Sequence, residues 1–280
     1  MMKDFSKRFA SNKGAILGSA ILVAVFALMI AAPIVFPRSP WMMVQRPFVP
    51  PWTINGLLLG TDPLGRDVAS AVAHGAKMSL LIGLVSTVVS LAIGIPIGAL
   101  AGYFGGRVDD ILMRVTEFFQ SVPSFAFAVV LVAIFKPSVA SIVVAIAIVS
   151  WPPVARLLRG EVMSLRSREF VEAAILSGQR SGTIIWRQIL PNAISPIIVL
   201  ASMMVASAIL IESALSFLGL GDPNVMSWGY TIGAGRTAIR QAWWVSFFPG
   251  IAILLTVLAF NLIGEGLNDA LNPRLARRGK

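Results

Sequence analysis

Apolar residues fall along this chain in long runs separated by short polar or basic stretches, unlike the alternating or one-faced periodicity of water-soluble elements. Six runs reach or approach the roughly 17 to 25 residues that a helix needs to cross a hydrocarbon core about 30 Å thick. They cover approximately 14–36, 78–101, 118–135, 138–154, 193–220 and 246–264. Only helices and closed barrels satisfy their own backbone in lipid, and runs of this length are helical rather than barrel strands. The expected fold is therefore all-α: a polytopic membrane protein with six transmembrane helices. Its parts are an N-terminal tail (1–13), a first span (14–36), a long loop (37–77), a five-helix core (78–264) and a C-terminal tail (265–280). Two polar loops interrupt the core, at 155–192 and 221–245.

Composition agrees with the pattern. Of 280 residues, 56% are hydrophobic and 13% charged, against roughly 25% charged in soluble domains. The net charge of +10 would suggest nucleic acid in a soluble protein, but here the basic residues cluster between apolar runs. With the N-terminus placed in the cytoplasm, 16 of the 23 Lys and Arg fall on the cytoplasmic side. The positive-inside rule thus places both termini there, and no nucleic-acid partner is expected. The first run is too long for a cleavable signal segment and lacks a small-x-small site, so it reads as a retained span. With no Cys and one His, His74, the chain offers no disulfide, no thiol nucleophile and no His-rich metal site.

Trp41, Trp52, Trp228, Trp243 and Trp244 all fall in the two extracytoplasmic loops, where interfacial anchoring is the expected role. In the second run Gly94, Gly98, Gly102 and Gly106 recur every four residues. Such spacing lets another helix backbone approach closely, and Pro96 should bend the run. Phosphate-cradling loops, nucleophile elbows and metalloprotease motifs are absent, and "GLGDPN" at 219–224 reads as a turn at a helix end. No covalent catalysis is expected. Among the acidic residues Glu117 and Glu265 lie at span edges, while Glu212 lies within one. An intramembrane carboxylate either binds a proton or cationic solute, or is held structurally by neighbours or a water-filled cavity; the structural role is favoured.

The loop at 155–192 carries six Arg, yet it is patterned. Phe170, Ala173, Ala174 and Ser177 recur at three- and four-residue steps, which predicts a short helix over 169–177 stopped by Gly178. A second apolar-periodic stretch over 183–190 ends at Pro191. An exposed helix with two consecutive Ala on its contact side suits docking into a groove of another protein, with Glu172 free to accept a charge-assisted hydrogen bond. The alternative is a basic loop that enforces topology and rests on headgroups.

"EAAILSGQRSGTIIWRQILP" resembles the EAA signature, Glu-Ala-Ala-x3-Gly-x9-Ile-x-Leu-Pro, of permease subunits in binding-protein-dependent ABC importers. The match falls on Glu172, Ala173, Ala174, Gly178, Leu190 and Pro191; Gln188 stands where the pattern has Ile, with Ile189 beside it. "LGTDPLGRDVASAVAHGAKMSL", "ESALSFLGLGDPNVMSWG" and "FFPGIAILLTVLAFNLIGEGLNDALNPRL" are similar to segments of dipeptide, oligopeptide and nickel permeases, in the same order. The likeness is nearest to the second of the paired permease subunits. It implies a type I ABC importer in a bacterial or archaeal cytoplasmic membrane. Its expected partners are a second homologous permease, two cytoplasmic ATPases and an extracytoplasmic solute-binding protein. ATP and Mg would bind the ATPases, with no cofactor on this chain. The helix bearing the signature would be the coupling helix, and the cargo a peptide or peptide-like solute. Nickel chelates, opines and oligosaccharides are the alternatives within the family. Outside it stand an ion-coupled secondary transporter using Glu212 and a non-transporting membrane scaffold.

Overall fold

The computed structural model describes residues 8–271, so Lys3, Lys7 and most of the basic C-terminal tail lie outside the described residues. Nine α-helices of eight or more residues organise the described residues: α1 (Lys13–Val35), α2 (Val68–Phe104), α3 (Gly106–Ser121), α4 (Ser124–Phe135), α5 (Val139–Arg166), α6 (Glu169–Leu176), α7 (Leu190–Phe217), α8 (Trp228–Gly235) and α9 (Trp244–Leu271). Among the described residues, five helices are long and apolar enough to cross a membrane, or six if the bent pair α3–α4 counts as one span.

The first span is found almost where the hydrophobic run places it. Asn12 caps α1 by accepting the Ala15 amide at 3.0 Å, and its side-chain amide donates to Asp269 at 2.9 Å. This bond and the seating of Gly18 against the Ala259 carbonyl fix α1 along α9.

The second span begins ten residues earlier than the run from 78 suggests. Asp67 caps α2 through the Ala69 amide at 2.9 Å, and Val68, Ala73 and Ala76 are buried. This first part is small and weakly apolar because it packs on protein, so hydropathy alone does not reveal it. The loop from 37 accordingly ends at Asp67 rather than at 77.

The third span is corrected most. In place of a straight helix over 118–135, α3 and α4 meet at an 84° bend. Val122, at φ −90° and ψ 132°, is extended because Pro123 clashes with an α-region neighbour before it. The twelve residues of α4 rise only about 18 Å, too little to cross a bilayer core alone. Helix α3 is amphipathic, and its apolar stripe of Val108, Ile111, Val115 and Phe118 faces outward. Its polar side turns toward α5, where Asp109 grips Arg159 through two 2.5 Å bonds.

Helix α5 opens on a capping box between Ser138 and Ser141 and runs through Pro152 and Pro153 to Arg166, twelve residues beyond the expected end at Val154. The extension persists because Val154, Ala155, Leu158 and Val162 bury themselves against α2 and the α6 region. Three of the four spaced glycines make this seam. A Cβ at Gly94 would lie 2.8 Å from the Trp151 carbonyl, one at Gly102 would lie 2.7 Å from that of Arg159, and one at Gly98 would overlap the Ala155 carbonyl. Gly106 takes no part and instead starts α3 at φ +50°.

At the opposite end of the bundle, α8 plugs between α2, α7 and α9. Trp228 is fully buried and donates to the Val72 carbonyl at 2.8 Å, while Trp244 donates to the Thr61 carbonyl at 3.1 Å. Both are core residues, which corrects the expectation that every loop Trp anchors at the interface. Trp52 and Trp243 are exposed. The loop before α2 is also ordered. Arg66 pairs with Asp62 at 2.5 Å and lies 5.3 Å and 5.5 Å over the rings of Trp41 and Tyr230. Burial lowers its pKa, but the bonds to Tyr230 and Asp62 outweigh burial and raise it above the ordinary arginine value.

Candidate functional site: the α6 lever

Helix α6 sits between the two long helices α5 and α7. Arg168 is its extended N-cap, and Glu169 and Glu172 lie in the first turn, where carboxylates oppose the helix dipole favourably. The helix ends as a glycine turn demands. Gly178 has φ +72°, its amide donates to the Ile175 carbonyl at 2.9 Å, and the Gln179 amide donates to the Ala174 carbonyl at 3.2 Å. A left-handed residue closing such a pair of bonds is glycine at least steric cost.

The two faces of α6 do different things. Val171 and Ala174 are 0% and 5% exposed and join a cluster with Leu158 and Val162 of α5 and Ile184, Ile185 and Ile189 after α6. Glu172, Ala173, Ile175 and Leu176 face outward, Leu176 at 88% exposure. The paired alanines therefore straddle the helix, a correction to the reading that set both on one contact side. Ala174 is the close-packing residue inward, and Ala173 is the small residue on the open face. The Glu172 carboxylate has no hydrogen-bond or ion-pair partner among the described residues.

The stretch after α6 also differs from expectation. Residues 181–217 form one continuous helical element, so Pro191 starts α7 rather than ending a separate helix. Ile184–Ile189 is a π-helical turn, closed by the Leu190 amide on the Ile185 carbonyl. A π turn holds one extra residue and rotates the helix beyond it. At the departure from the pattern, Gln188 is half-buried while its neighbour Ile189 is fully buried. Leu190 is half-buried and Pro191 exposed. Sequence reasoning missed the α3–α5 clasp, where Arg159 holds Asp109 and Arg156 donates to Gln120. The Asp109–Arg159 partners stand 50 residues apart, and no local spacing signals them.

Glu212 is 1% exposed, near the far end of α7. Its carboxylate accepts hydroxyl bonds from Ser227 at 2.7 Å, Ser216 at 2.9 Å and Ser213 at 3.4 Å. No Lys, Arg or His pairs with it among the described residues. Ser227 also caps α8 by accepting the Tyr230 amide at 3.0 Å. Glu212 therefore ties the α8 plug to α7, which is the structural alternative. Glu212→Ala leaves the Ser216 and Ser227 hydroxyls without this acceptor, an expected loss of about 1–3 kcal/mol. Hydrogen exchange should show it as faster amide exchange across α8, while α6 keeps its wild-type rate.

No group of three or more His, Cys, Asp or Glu is placed to hold a metal among the described residues. The described residues thus form a bundle of long apolar helices with a short two-faced helix held between two of them. Residues 94–277 match the model of the binding-protein-dependent transport system inner membrane component, and residues 1–51 match the N-terminal TM domain of oligopeptide transport permease C. The chain belongs to the family of binding-protein-dependent transport system inner membrane components. It is 43% identical to the di/tripeptide transport system permease protein DppC of Pseudomonas aeruginosa, covering 98% of this chain and 92% of that one. It is 38% identical to the oligopeptide transport system permease protein OppC of Haemophilus influenzae, covering 98% and 89%. Among solved structures, the inward-facing MetNI methionine ABC transporter superposes with a TM-score of 0.59 at 16% identity, covering 75% of this chain and 96% of that one. The fold is that of an ABC importer permease.

Proposed function

We propose that this chain is one permease half of an ATP-driven peptide importer, pairing with a second homologous permease to form the path across the cytoplasmic membrane. Two ATPase subunits, carrying ATP and Mg, seat α6 in a surface cleft, and an extracytoplasmic binding protein delivers a short peptide to the opposite end. The observation that carries the reading is the two-faced α6. Its inner face is fixed into the seam of α5 and α7, so a push on its outer face moves both long helices as packed bodies between discrete arrangements. Glu172, Ala173 and Gly178 form or shape the docking side, Ala174 and Leu190 pack the lever onto the bundle, and Pro191 lies exposed in the first turn of α7. Peptide as cargo is supported by near full-length relatives named for di/tripeptide and oligopeptide transport. Reconstitution of the chain with its partner permease, ATPases and binding protein in proteoliposomes tests the proposal. ATP-dependent dipeptide uptake, with hydrolysis stimulated by the loaded binding protein, is expected. Uptake driven by a proton gradient without ATP would overturn it.

A further inference from the structure

At the α6 end of the bundle an apolar groove of about 220 Å³ opens between α2 and the π turn. Pro96, Leu100 and Phe104 form one wall and Ile185 and Trp186 the other, with Leu100, Phe104 and Trp186 exposed. Basic residues neighbour its walls in the chain. The Arg166 guanidinium lies 5.7 Å over the ring of Tyr103, next to Phe104 in the chain. Arg187 follows Trp186 on the outward side of the π turn, and Arg107 follows α2 by three residues. Neither the Arg107 nor the Arg187 guanidinium has a hydrogen-bond or ion-pair partner among the described residues. Tryptophan and arginine concentrate where hydrocarbon meets headgroups, and basic pockets between spanning helices on the cytoplasmic side bind anionic headgroups.

We propose that this groove is a binding site for an anionic phospholipid, with an acyl chain along Leu100, Phe104 and Trp186 and the phosphate facing Arg166 and Arg187. The charge complementarity selects the occupant: a neutral apolar partner would leave these guanidiniums unpaired, and an anionic soluble ligand would leave the apolar walls exposed to water. The inference rests on the reading above only in placing this end of the bundle at the cytoplasmic leaflet. Through the π turn, bound lipid would bear on the same segment that joins α6 to α7.

The test uses the assembled transporter in nanodiscs containing phosphatidylglycerol or phosphatidylcholine brominated on the acyl chains. The Trp186 signal is taken as the difference between wild type and Trp186→Phe. At low salt the brominated anionic lipid should quench this signal with roughly tenfold preference over the zwitterionic one. Arg166→Gln with Arg187→Gln should reduce the preference below twofold while the variant still co-purifies with its ATPases. Millimolar inorganic phosphate should leave quenching unchanged, since it lacks the chain that fills the groove. Equal quenching by both lipids, an undiminished preference in the double variant, or no quenching because a protein subunit covers Trp186 would each overturn the proposal. Dipeptide uptake is read separately, so a transporter that moves another solute can still show the lipid preference.

Discussion

Ala173→Arg is expected to uncouple the importer by separating it from its ATPases. Ala173 is exposed and small on the outer face of α6, beside the unpaired Glu172. In a seated interface a long cation there displaces the partner surface and buries an unpaired charge, a cost of about 3 kcal/mol or more. At about 1.4 kcal/mol per tenfold, ATPase affinity should fall by at least a hundredfold. Co-purification with the ATPases should fail, and uptake should fall with it. The permease pair should remain assembled, because no described residue packs over that face. Ala173→Gly removes one methyl and should keep most uptake, which separates occlusion from a general intolerance of substitution.

The second large effect concerns the inner face. Val171→Asp puts a carboxylate where Val171 is fully buried among Leu158, Val162 and Ile184. An uncompensated buried charge costs about 3–5 kcal/mol. An eight-residue helix has too little intrinsic stability to hold its place once this contact is lost. The outer face remains chemically intact, so the ATPases should still bind, but hydrolysis should no longer respond to the loaded binding protein and uptake should stop. Val171→Ile keeps the apolar contact and should transport within about threefold of wild type, since near-isosteric core changes usually cost less than 1.5 kcal/mol. Hydrolysis that still responds to the loaded binding protein in Val171→Asp would show that the inner-face contact is not the lever's root.

The sequence revealed the helical class, the presence of most spans and the short helix with its glycine stop, because each depends on local periodicity or a local backbone demand. What it hid depends on distant partners. The start of α2 at Val68 is invisible to hydropathy because its Ala- and Ser-rich turns pack on α8 rather than lipid. Pro123 breaks the third span because its neighbour Val122 is forced into an extended conformation, while Pro152 and Pro153 fail to end α5 because residues beyond them are buried. Trp228 and Trp244 occur in a loop by sequence yet fill the core, each with its indole N–H satisfied by a backbone carbonyl. The alanine pair reads as one surface, although neighbouring residues on a helix point about 100° apart. That rotation puts Ala173 on the exposed face and Ala174 on the packed one.

The same division supplies the most direct test of the lever. A photoreactive amino acid placed at position 173 or at position 174, in the otherwise intact transporter, reports what each face touches on illumination. Position 173 should give a covalent adduct to an ATPase subunit, and position 174 should give none, because its side chain points into the cluster around Val162 and Ile189. Equal ATPase adducts from both positions, or none from position 173, would contradict the assignment of α6 as a two-faced lever seated in the ATPase.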